Sequence, residues 1–269
     1  LLDPPALESL GREPDLSGLI AGLRRHRILT ATTVELPSAE SIELGLRRWA
    51  DAMLRLVGRW AGPRVAALPL VFDDEDRRSL RAIFRGAVQR APGMVRLAGL
   101  IPTPLLPERT LEELAGAPTP ERASALLSSW RHPYAEAIAP VATAPLPDLL
   151  SLEVALSRAF TARIRDTARR AHCRAVKTFV AESIDLENAI TGLTLAGSDR
   201  DIVAREMFLA GGNSLSLEGF EQVVRTGSPA AARAAIRKLL ADTPYAPAFA
   251  PTTTSVEDEL LRLRLRTLR

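Results

Sequence analysis

The sequence predicts an all-α fold, on three observations. Ala, Leu and Arg abound, and all three are good helix formers. Aromatic residues make up only 4% of the chain. Apolar residues recur at helical spacing, most plainly at Leu149, Leu152, Leu156, Phe160 and Ile164. With 269 residues, 46% apolar and 25% charged, the chain can bury one large core or two small ones. A net charge of +3 permits contact with nucleic acid or an anionic membrane and argues for neither. The single cysteine, Cys173, excludes an internal disulfide framework and any Cys-rich metal site. No run of 18 apolar residues is present, so no membrane span is expected. No signal peptide is read.

Elements follow in order. Asp3 before Pro4 and Pro5 starts a short helix, and Pro14 with Asp15 starts a second. Ser38 caps a longer amphipathic helix that carries Leu44, Leu46, Met53, Leu54 and Val57. The stretch "AGPRVAALPLVF" reads as an irregular connection, and the acidic run "DDED" is expected to open the next helix as a solvated N-terminus. "APGMVRLAGLIPTPLLPERT" reads mostly as loop. Two short helices separated by "GAPTP" come next, then the longest regular element, over 145–183. The stretch "SIDLENAITGLTLAG" reads as a new helix, with Asp185 capping its first turn, ending at Gly197. A glycine loop and two short helices follow. Ser255 and Asp258 then cap a terminal helix continued by Leu261, Leu265 and Leu268.

Asp76 and Asp185 lie 185 − 76 = 109 positions apart, and the offset persists without gaps. Leu100 falls on Leu209, Leu106 on Leu215, Leu111 on Phe220, and Thr119-Pro120 on Ser228-Pro229. Each copy has an acidic helix start, a loop, a short helix, then a Ser/Thr cap with Pro in first helical position. "ALESLGREPD" resembles "TLEELAGAPT" and opens the chain with part of a third copy. The organisation expected is one helical domain over 1–269, with repeated units near 70–145 and 180–245.

The stretches "ESIDLENAITGLTLAG" and "FLAGGNSLSLEGFEQVVRTGSP" resemble the central-stalk subunit of rotary V-type (A-type) ATPases, the C/d family. The motif residues are Asp185, Asn188, Gly211, Gly212 and Phe220. Asp76, Leu80, Ile83 and Arg85 match in the first copy, where Ser79 stands in place of the usual Asn. The resemblance implies three pseudo-symmetric helical units forming a funnel, the third truncated here. It implies a non-catalytic rotor subunit without a cofactor, linking the coiled-coil shaft to the membrane proteolipid ring. Such a subunit is peripheral, on the cytoplasmic face of the membrane, and couples ATP hydrolysis or synthesis to ion transport.

Chemistry-bearing patterns are sparse. His26, His132 and His172 have no metal-ligand partner at helical spacing and read as surface or capping residues. Cys173 beside His172 points about 100° away on a helix and reads as a buried or inert thiol. "LAGGNSLS" lacks the Lys-Ser/Thr of a phosphate loop. Asp185 and Asn188 are expected to cap and cross-link a helix start. Arginines 158, 163, 165, 169, 170 and 174, with Lys177, spread over a solvated face that could also meet an acidic partner or lipid headgroups. A helical-repeat scaffold unrelated to rotary enzymes is the alternative reading. A nucleic-acid-binding helical protein ranks below it, for want of aromatics or a known module, and no residue set suggests an enzyme.

Overall fold

The computed structural model describes residues 2–29, 38–61, 68–145, 147–171, 173–196 and 204–267. Fourteen α-helices, one 3-10 turn and no strand occur among them. The chain divides into two compact units, Leu1–Phe160 and Thr161–Arg269.

In the first unit, α1 (Pro4–Gly11) and α2 (Leu16–Arg25) start where the sequence places them. Asp3 accepts the Ala6 N–H at 2.9 Å and Asp15 the Gly18 N–H at 2.7 Å, satisfying first-turn donors. α3 (Ala39–Ala61) is capped by Ser38, which accepts the Ser41 N–H at 3.1 Å, while Ser41 Oγ accepts the Ser38 N–H at 3.2 Å. Leu10, Ile20, Leu23, Ile28, Leu29 and Ile42 form one buried cluster, with Trp49 of α3 against it. α4 (Leu68–Val88) packs against α5 (Gly93–Leu97), α6 (Glu108–Ala115) and α7 (Pro120–Ser129), and α7 packs on α8 (Ala135–Ala142). Leu80, Ile83, Leu111, Leu114 and Leu127 are fully buried here.

Two boundaries differ from expectation. The acidic run does not open a helix. α4 begins at Leu68, with Pro69 in its first turn, and Asp73, Asp74 and Asp76 are buried within it. Their neighbours explain this. Arg77, also buried, donates to Asp74 at 2.8 Å and stacks its guanidinium 4.7 Å above the Phe160 ring, and the Tyr134 hydroxyl donates to the Asp73 carbonyl at 3.2 Å. The helix break expected near residue 183 falls instead between α9 (Leu149–Arg170) and α10 (Arg174–Ala196). Asp185 therefore sits in the middle of α10 and caps nothing on its own helix. Gly197, His172 and Leu268 lie outside the described residues. Leu152, Leu156, Phe160 and Ile164 of α9 are buried, as their spacing predicts, and Leu149 at the start of the same face is half-buried.

In the second unit, α10 is packed by α12 (Leu217–Val224) and α13 (Pro229–Leu239). α11 (Ala204–Met207) lies on α12, and the 3-10 turn Ala246–Phe249 on α13 and α14 (Val256–Thr267). Leu186, Ala189, Val223, Ile236, Tyr245 and Phe249 belong to its core. Ser255 caps α14 by accepting the Asp258 N–H at 3.2 Å.

Candidate functional site

The motif residues of the second unit converge on one loop. Residues 183–189 of α10 are buried without a break, so polar side chains there must find partners inside the protein. Asp185 finds them in the loop 213–215. Its Oδ2 accepts the Asn213 and Ser214 N–H groups and its Oδ1 the Leu215 N–H, each at 2.9 Å. Three successive amides turned on one carboxylate form a concave anion site, here filled by the protein itself. One turn on, Asn188 closes a two-bond clamp: its Nδ2 donates to the Leu209 carbonyl and its Oδ1 accepts the Leu209 N–H, both at 2.8 Å.

The glycines let the loop come this close. Gly211 has φ +122°, a conformation that side chains resist. A Cβ on Gly212 would lie 2.7 Å from Asp185 Cγ, inside van der Waals contact. Arg165 donates to the Ala210 carbonyl at 3.1 Å and lines the approach to Gly211. Past the loop, Ser216 caps α12 by accepting the Gly219 N–H at 3.2 Å. Phe220 is then fully buried, its ring 5.6 Å from that of Phe208 and against the bare Gly192 on α10.

The first unit holds its corresponding loop by different groups. Asp76 accepts the Thr103 hydroxyl, and Thr103 Oγ1 accepts the Leu106 N–H at 3.0 Å. Pro104 stands 109 positions before Asn213 and has no N–H to give. Ser79, where Asn would be expected, cannot reach out as an amide does. The Leu100 carbonyl instead accepts Arg47 Nε of α3 at 2.9 Å, and Glu43 accepts the Gly99 N–H.

Several contributors carry no signal in a local motif. Arg47 is one. Tyr134 and Tyr245 are others: Tyr245 donates to Glu182 at 3.0 Å, and Tyr134 reaches the Asp73 carbonyl. The shared tripeptide Pro-Tyr-Ala at 133–135 and 244–246 could have revealed both. Burial pushes the Tyr245 hydroxyl above its ordinary pKa. His132 is buried, not on the surface, and its Nδ1 accepts the Tyr134 N–H at 3.3 Å. His26 ends α2 in solvent. Cys173 is exposed, which overturns the buried alternative of the buried or inert thiol expected. Among the described residues no three His, Cys, Asp or Glu side chains are grouped to hold a metal ion, and no helix is long and apolar enough to cross a membrane.

These groups fix loops to helices, and both carboxylate oxygens of Asp185 are engaged in doing so. No curated protein gives a significant match to the sequence. The family described as ATP synthase (C/AC39) subunit matches residues 1–269, the whole chain, which agrees with the resemblance carried by the Asp185 and Gly211-Gly212 stretches. The chain belongs to that family, the C/d-type subunit of V-type rotary ATPases.

Proposed function

We propose that the protein is a non-catalytic central-stalk subunit, linking the rotor shaft to the membrane proteolipid ring. The observation that carries this is the family match over the full 269 residues. Its working surface would be peripheral, on the cytoplasmic face of the membrane. A coupling spacer must carry load between two partners without yielding. Supporting that reading, the two clamped loops are held by buried polar groups on the interior of long helices and not by flexible termini.

The reading includes a repeat. α6 and α12 start at Glu108 and Leu217, and α7 and α13 at Pro120 and Pro229, an offset of 109 in each case. α1 and α2 span 4–11 and 16–25, and α6 and α7 span 108–115 and 120–129, a constant offset of 104. Arg27 and Arg131, at that same spacing, both take positive φ after the second helix of the pair. These agreements support units near 70–145 and 180–245 descended from one helical module, with Asp76 and Asp185, Ser79 and Asn188, and Thr103 and Gly212 as counterparts. Gly211, Gly212 and Phe220 then serve as the structural motif that docks the second unit's loop and its following helix.

Calorimetric titration of the full-length protein with the purified rotor-shaft heterodimer, with duplex DNA as control, tests the function. A saturable one-to-one complex with the shaft and none with DNA supports it. No binding to the shaft overturns it.

A further inference from the structure

Among the described residues, the second half of α3 is left uncovered by its own unit. From Ala50 to Ala61 no residue is buried, and Leu46, Met53, Val57 and Trp60 are exposed, Trp60 to 81%. An amphipathic surface helix ordinarily turns such residues inward and charge outward. The inward side of α3 is already supplied by Ile42, Gly45 and Arg47. The outward residues are not scattered. Leu46, Met53 and Trp60, all exposed, are separated by whole heptads, and the half-buried Trp49 and Leu56 fall at the fourth position of each heptad, Trp49 packing also against the buried cluster of its own unit. That is the pattern of a helix that packs knobs-into-holes against another helix. Two heptads make a seam of about 21 Å at 1.5 Å per residue.

Charge selects the partner. From Leu46 to Ala61 the helix carries Arg47, Arg48, Arg55 and Arg59 against Asp51 alone. Arg48 meets Glu108 at 3.4 Å and Arg55 meets Asp51 at 2.8 Å, whereas Arg59, next to the seam, makes no ion pair among the described residues. A second copy would bring arginine against arginine, which disfavours self-pairing; a helix with acidic flanks would neutralise Arg59. Arg59 and Arg55 line, with Ala52, Leu54, Phe72 and Pro104, a groove of about 600 Å³ that offers apolar walls beside two cations.

The geometry points to α3, from Leu46 to Trp60, as the docking face for an amphipathic helix with a heptad apolar seam and an acidic flank. This rests on the central-stalk reading only for the partner's identity, the shaft of that reading being a coiled coil.

The test titrates the full-length protein with the shaft heterodimer, comparing wild type with Met53→Asp/Val57→Asp and with Arg59→Glu. Both variants change exposed side chains, so helix content and melting should hold. The double variant should bind at least about 100-fold more weakly, as loss of a buried seam requires, and Arg59→Glu about tenfold more weakly with a shallower salt dependence. Emission from Trp60, assigned by Trp60→Phe, should shift to the blue on binding. Equal binding by wild type and both variants overturns the docking face and leaves the central-stalk function standing. No binding by wild type overturns that function, and a synthetic heptad helix with a Leu seam and Glu flanks then decides the face. Binding of that helix lost in Met53→Asp/Val57→Asp sustains it; equal binding of a Lys-flanked helix overturns it. A wild-type dimer dissolved by the double variant, or loss of binding to phosphatidylserine vesicles with shaft binding intact, overturns it as well.

Discussion

Asp185 occupies the space that a side chain on Gly212 would need. A methyl group there would meet the carboxylate at 2.7 Å from its carbon, and the three amides that follow Gly212 are those the carboxylate accepts. Gly212→Ala should therefore push the loop off α10 and cost about 2 kcal/mol, in the range of overpacking. Urea denaturation measures it; an unchanged midpoint would show that the loop can give way freely.

Removing the carboxylate should cost more. Asp185→Ala strands three amides in a buried site, at about 3 kcal/mol or more, since hydrogen bonds to a charged group are the stronger kind. Asp185→Asn keeps part of the acceptor capacity and should fall between wild type and alanine. An asparagine variant as unstable as the alanine would mean that shape, not acceptance, holds the loop.

Asn188→Leu leaves both backbone groups of Leu209 without their partner, while Leu209 itself is buried. The expected loss is about 2–3 kcal/mol. Phe220→Ala opens a cavity beside Gly192 and should cost about 3–5 kcal/mol. The two sites flank one loop, so the double variant should lose less than the sum of the single losses. Thermal or chemical melts of all three proteins test the coupling.

Glu75 should make stability fall with rising pH. Burial holds its carboxyl above the ordinary value of 4.5, against the opposing pull of Arg78 at 3.7 Å. Between 4.5 and its raised folded value, the folded state binds the proton more tightly than the unfolded chain does. Stability from this group is complete below that window and lost as pH rises through it. Glu75→Gln stays neutral throughout. It should match wild type in acid and exceed it at neutral pH, in paired denaturation curves at the two conditions. A difference that is constant with pH would refute the burial effect.

Helix identity was largely legible, because the caps at Asp3, Asp15, Ser38, Thr119 and Ser228 are local signals and each does cap a helix. The motif residues could be singled out, but their work could not. Asp76 and Asp185 look like caps because an aspartate near a helix start usually is one, and nothing within ten residues reveals that their partners lie 27 to 30 residues on. Arg47 was illegible for a stronger reason. It replaces an amide that Ser79 lacks, from 53 residues before the carbonyl it serves. Such compensation depends on which helix happens to lie alongside, a fact of tertiary packing with no local trace. No helix was read over "PYAEAIAPVA", where Pro140 sits in the last turn of α8.

The three amides on Asp185 also set a clock. They belong to a glycine-rich loop, the kind of segment whose hydrogens exchange with water in moments when it moves freely. Held by a carboxylate on the interior of α10, the amides of Asn213, Ser214 and Leu215, with that of Leu209, can be released only when the helix and loop part. Their exchange should keep time with the core of the unit rather than with its surface, so a loop by sequence ages like a helix by chemistry.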